Sequence, residues 1–281
     1  MLKMALFCSA ALMAAVASIP TQAAAQDNAI PNFASITFGW QTSGGFDFQP
    51  VPGKVGGIGA EKGPRRAAGG GGQLGVERTA DADNPNLKPW AAAVIRKHDE
   101  EVHAGHRAFQ AQSRCWPGGT PGQLLFVAEP VYFIQTPQEV WIIWQRNEWV
   151  RRIYLNREHS ENPTPSWFGE SVGHYENGEL VVDTIGFVEH PFSFVDNYAT
   201  PHTKDLHVVE RWKLTDGGKG LQATVMVEDP GTFNAPWWGT KTWTKTDRPL
   251  TESICAENNL NYTQFFKLPE YPMPEAKTLD F

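Results

Sequence analysis

Through residues 123–246, apolar and polar side chains alternate in short runs, the period-two signature of strands with one face turned to a core. The runs predict strands at Leu124–Val127, Val131–Gln135, Glu139–Gln145, Trp149–Leu155, Ser171–Glu176, Glu179–Phe187, Leu206–Leu214, Leu221–Glu228 and Trp238–Thr246. Most links between them are short and rich in turn formers: Pro137-Gln138, Arg146-Asn147-Glu148, Asn177-Gly178 and Asp216-Gly217-Gly218. Such links join antiparallel neighbours. Phe33 to Trp40 alternates well enough for one more strand. Helical spacing occurs from Pro89 to about Ser113, where Trp90, Val94, Ile95, Val102 and Phe109 fall near one face behind a proline suited to a first turn. The pattern predicts a mainly β fold, a lipocalin-like antiparallel barrel or a strongly curved sheet with one N-terminal helix.

The N-terminus follows another logic. Lys3 precedes an uncharged, largely apolar run to Ile19, Pro20 breaks it, and Ala23, Ala24 and Ala25 supply small residues before Gln26. That order reads as a cleavable secretory signal over residues 1–25, and predicts a mature protein in the periplasm or outside the cell. Residues 26–86 then read as an extended, Gly-rich segment, and 87–281 as a helix plus barrel-like domain. Gly53 to Gly75 is too poor in apolar surface to offset chain entropy. No later run is long and apolar enough to predict a membrane span. Loss of Lys3, the one charged residue of 1–25, takes the formal charge from −7 to −8. An acidic chain without a basic cluster on its predicted strands is a poor nucleic-acid partner. Of the three cysteines, Cys8 leaves with the signal. Cys115 and Cys255 remain as a disulfide in an oxidising compartment, or as two buried thiols. The bridge would close a long loop, with an entropic gain on the order of 4–5 kcal/mol.

Pro165-Ser-Trp-Phe-Gly169, Ser171-Val-Gly-His174 and Gly178-Glu-Leu-Val-Val-Asp183-Thr-Ile-Gly186-Phe187 form a distinctive series. Pro201-His202, Leu206-His207-Val-Val-Glu210-Arg211, Asp229-Pro230 and Arg151-Arg152-Ile-Tyr154 continue it, as do the turn after Cys115 and the segment Cys255 to Asn258. Together they resemble a family of uncharacterised secreted bacterial proteins. The resemblance implies a secreted β fold and no particular activity. The chain has Tyr175-Glu-Asn-Gly178 where that family has Trp-Glu-Gly-Asp, and the Gly-rich insertion is foreign to it.

Strand parity singles out the chemistry. Leu206, Val208, Glu210, Trp212 and Leu214 share one face, an apolar stripe with one carboxylate; Trp149, Arg151, Ile153 and Leu155 form a similar stripe with one guanidinium. A charge on a core-facing stripe needs a partner, so Glu210 and Arg151 are expected to meet inside, as a register-fixing ion pair or as a substrate-facing acid or base. Asp183 shares a face with Val181, Ile185 and Phe187 and is placed to orient His174 or His207. The long connections 156–170 and 188–205 carry His190, His202 and Trp167 and are expected at one mouth. His190, His202 and His207 match no standard metal-ligand spacing, and no metal or other cofactor is expected. Gly169 to Gly173 fits G-x-S-x-G around Ser171 but lacks the strand–turn–helix that such a nucleophile needs.

With eleven Trp and sixteen Phe, the favoured expectation is a cofactor-independent, lyase-type enzyme acting on a small apolar or aromatic molecule. Its base is His174 or His207, its orienter or acid Glu210 or Asp183. Arg151 or Arg152 stabilises the anion, and Tyr154 is a proton donor. Trp141, Trp144, Trp167, Arg152, His190 and His202 would line the substrate. The rival readings are a periplasmic carrier of apolar ligands, an envelope interaction protein and a serine hydrolase using Ser171.

Overall fold

The computed structural model describes residues 30–35, 37–62, 79–104, 117–125 and 129–253. The expected signal peptide, most of the Gly-rich stretch, Phe109 and both cysteines of the expected disulfide lie outside the described residues.

Nine strands close into one barrel in chain order. They are β1 (Gly39–Ser43), β2 (Val131–Gln135), β3 (Glu139–Trp144), β4 (Trp149–Leu155), β5 (Glu170–Glu176), β6 (Glu179–Ile185), β7 (His207–Thr215), β8 (Gly220–Glu228) and β9 (Trp237–Thr246). Eight of the predicted strands reappear within a residue or two; β1 lies toward the C-terminal side of the expected Phe33–Trp40 strand. The expected strand at Leu124–Val127 is instead a 3₁₀ turn at Gly122–Leu125. β1 comes from the segment read as an extended N-terminal piece, so that segment is built into the barrel, pairing with β9 and β2.

Alternation explains the wall. In β4 the buried residues are Trp149, Arg151, Ile153 and Leu155, while Val150 and Arg152 are exposed. In β8 Leu221, Ala223, Val225 and Val227 are buried and the residues between them are half-buried. The Asn177-Gly178 hairpin has positive φ at both central residues, the turn whose twist suits paired strands and which Asn-Gly tolerates best.

One pairing departs from the expected antiparallel order: β4 and β5 run parallel, with Ile153, Tyr154 and Leu155 facing Ser171, Val172 and Gly173. A parallel neighbour cannot be reached by a hairpin. Residues 156–169 must therefore return along the barrel, which accounts for the length of that connection.

Helix α1 (Pro89–His103) starts at the predicted proline, but its buried face is Ala91, Ala92, Ile95, Asp99 and Val102. Trp90 and Val94, expected to be buried, are exposed, because the helix packs through small residues and anchors itself by polar contacts. Asp99 accepts the Ala80 N–H at 3.0 Å, and the Trp90 indole donates to the Gly231 carbonyl at 2.7 Å. His103 pairs with Glu61 at 2.8 Å.

Candidate functional site

The barrel interior holds a charge cluster. Glu210 and Arg151 do meet there, Arg151 Nη2 lying 2.6 Å from Glu210 Oε2 with both side chains essentially inaccessible. β3 and β4 pair Arg151 with Ile142, and β7 pairs Glu210 with Val182 and Val225, so apolar neighbours on adjoining strands isolate the two charges. The row across the barrel through Glu210 contains Gly173, Val182, Val225 and Gly239. At Gly239 a Cβ would fall 2.5 Å from Phe48, which packs over the space the glycine leaves.

Arg151 is oriented by hydroxyls. Its Nε donates to Ser171 Oγ at 3.1 Å and its Nη2 to Thr184 Oγ1 at 2.8 Å, and the two hydroxyls lie 3.1 Å apart. Ser171 is thus a second-row support for a cation. It faces the interior, whereas His207 lies half-buried on the other side of the strand wall, so the order Ser171, Asp183, His207 does not fold into a triad. Among the described residues, Arg151 Nη1 has no hydrogen-bond partner, and neither Glu210 oxygen receives a well-directed hydrogen bond despite the ion-pair distance. The ammonium of buried Lys241, which the sequence did not single out, donates to the Gly45 carbonyl.

Asp183 projects from the outer face, opposite Leu180, Val182 and Thr184. His207 is there with it, Nε2 to Oδ2 at 3.0 Å, and the second partner is His159, Nε2 to Oδ1 at 2.9 Å. The chain of contacts runs on through His159 to Glu170 at 3.2 Å and from His207 to Glu228 at 3.5 Å. Burial pushes the Asp183 carboxyl up, but hydrogen bonds from His207 and His159 outweigh it and hold the group below its ordinary value. The Asp183 hydrogen bond raises the His207 imidazole, against the opposing effect of burial. His174, the alternative partner for Asp183, instead lies exposed 3.5 Å from Glu176.

The remaining expected residues are dispersed. Tyr154 sits on the outer wall between the guanidinium groups of Arg152 and Arg157, 4.5 and 3.8 Å from its ring. Arg152 pairs with Glu139 and lies over Trp141, so neither Arg152 nor Trp141 lines the interior. Trp144 does face inward and stacks on Phe168 at 6.2 Å. Trp167 meets His190 at 5.2 Å. His202 is buried beside Ser193, Nε2 to Oγ at 2.7 Å, with its Nδ1 on the Thr203 carbonyl; burial lowers its pKa, which the carbonyl bond opposes. The two long connections meet where Trp167 packs on His190 and where the Val188 N–H donates to the Ser166 carbonyl at 2.9 Å, while His159 of the first lies beside the outer wall.

The acid–base residues expected to converge therefore split into an interior pair and an outer-wall relay. His159, Glu170 and Lys241 had no local sequence signal. His159 and Glu170 matter through a connection laid on the wall, and Lys241 looks like any alternating polar residue. Among the described residues, no group of three or more His, Cys, Asp or Glu is placed to hold a metal ion, and no helix is long and apolar enough to cross a membrane. No family model, curated protein or solved structure matches the chain.

Proposed function

We propose that this protein is an exported, cofactor-independent acid–base enzyme of lyase type, with the barrel interior as its site and a small aromatic molecule as its substrate. The observation carrying this reading is the buried Glu210–Arg151 pair, whose carboxylate accepts no well-directed hydrogen bond. A pair of well-packed apolar residues is usually as stable as a buried ion pair or more so, so retention of the charges speaks for use. In this assignment Glu210 replaces His174 or His207 as the base, because both imidazoles belong to the opposite face of the wall. Glu210 takes a proton from the substrate, and Arg151, held by Ser171 and Thr184, stabilises the anion left behind.

Incubating the purified protein with a panel of small aromatic alcohols, with products followed by mass spectrometry, tests the reading. Glu210→Gln should lower kcat by about 10²–10⁴-fold, and His207→Asn should leave it nearly unchanged. A carrier is the second reading, favoured by the placement of the histidines away from Glu210. It predicts that every ligand is bound and returned unaltered.

A further inference from the structure

We propose that the molecule received by the interior is a neutral hydroxylated aromatic, read by indole N–H groups; this rests on the interior being the site. Among the described residues, three buried indoles, Trp212, Trp237 and Trp243, have no hydrogen-bond partner for Nε1. The fold does satisfy such groups elsewhere. Trp40 donates to the Phe33 carbonyl at 2.9 Å and Trp90 to the Gly231 carbonyl at 2.7 Å. A buried indole N–H ordinarily finds an acceptor, so the orphans nearest the charge pair, Trp212 and Trp237, mark where an acceptor belongs.

Their register places two of them beside the charge pair. Trp212 lies two residues along β7 from Glu210 on the same face. Trp237 faces Val227, which faces Val208, two residues before Glu210. Trp212 and Trp237 thus occupy the rows on either side of the carboxylate, and Trp243 lies one row beyond Trp212. Trp243 stacks on Trp212 at 5.1 Å, and Phe133 meets Trp212 edge-on at 5.5 Å, which gives the wall flat aromatic surfaces.

Polarity then selects the ligand class. The indole N–H groups and Arg151 Nη1 call for acceptor oxygens, while Glu210 calls for a donor. A hydrocarbon ring supplies neither. An aromatic carboxylate supplies acceptors but brings a second negative charge beside Glu210, whose own charge Arg151 already balances. A neutral ring bearing hydroxyl groups meets both demands, its oxygen accepting from the indoles and its O–H donating to Glu210.

The test uses the full chain with ¹⁵N-labelled indoles, titrated with phenol, toluene and benzoate. Phenol should shift the Nε1–H resonances of Trp212 and Trp237, assigned from Trp→Phe variants, and bind at least about tenfold more tightly than either other probe. Trp212→Phe should weaken phenol about five- to tenfold while leaving toluene unchanged. The wild-type indole shifts stand as a readout if a variant fails to fold. Equal binding of toluene or benzoate, or indole resonances unmoved by phenol, overturns the proposal. Indole shifts with phenol but no turnover of any aromatic alcohol would refute the acid–base reading while leaving the ligand class standing.

Discussion

At the scale of single residues, a structural and a chemical use of the Glu210–Arg151 pair make different predictions. Removing one partner leaves an uncompensated buried charge, so Arg151→Met should cost about 3–5 kcal/mol in urea unfolding. The double variant Arg151→Met with Glu210→Leu should recover most of that loss. If the pair serves chemistry, the stable double variant remains inactive; if it only sets register, the double variant keeps whatever function the wild type has. The outer-wall relay gives a pH prediction. The raised His207 imidazole contributes stability that is complete below its ordinary value of 6.5 and is lost as pH rises through its folded value. The lowered Asp183 carboxyl contributes stability present above its ordinary 3.8 and lost as pH falls through its depressed value. Their joint contribution is therefore greatest between these two ordinary values. Asp183→Asn should flatten the thermal-stability profile on both flanks, with Glu170, Arg157 and Glu228 as the neighbouring charges that salt would screen.

At the scale of elements, the first part of the connection from β4 to β5, residues 157–160, gathers on one carboxylate. Glu170 accepts from Ser160 through both backbone and hydroxyl, at 2.7 and 2.6 Å, and meets His159 and Arg157 as well. Glu170→Ala should release residues 157–161, read as faster amide exchange there by a factor of about ten, with β7 and β8 unchanged. This element also shows where sequence reading stops. Strand parity placed Arg151 and Glu210 in the interior because alternation is a local property of each strand. The parallel pairing of β5 with β4 is not local: a 14-residue link is compatible with a wandering hairpin or with a return along the wall. The link fixes which residues meet Asp183, so His159 was invisible and His174 was a plausible partner. The helix failed differently. Ile95 and Val102 are buried as its spacing predicts, but Ala91 and Ala92 complete the packed face and leave Trp90 and Val94 outside.

For the molecule as a whole, closure removes free strand edges but leaves unequal seams. β1 and β2 share one register pair, Trp40 with Val131, whereas β7 and β8 share nine. Gly39 sits at that thin seam, where a Cβ would come 2.7 Å from the ring of Tyr132. The Tyr132 hydroxyl reaches across to the Arg248 carbonyl at 2.8 Å and braces the seam from outside. A side chain at position 39 must push that ring away. Gly39→Val should therefore cost about 1–3 kcal/mol by overpacking and lower Tm by a few degrees. The loss should be uneven. Amides of β1 and β2 should exchange faster at low denaturant, while those of β7 and β8 keep the protection set by global unfolding. A fully buried charge pair can receive a substrate only through transient opening, and the thinnest seam is the least costly place for it. The same substitution should raise the rate at which phenol quenches the buried tryptophans without changing its equilibrium affinity in proportion. Unchanged entry kinetics alongside faster seam exchange would assign the route to one end of the barrel instead.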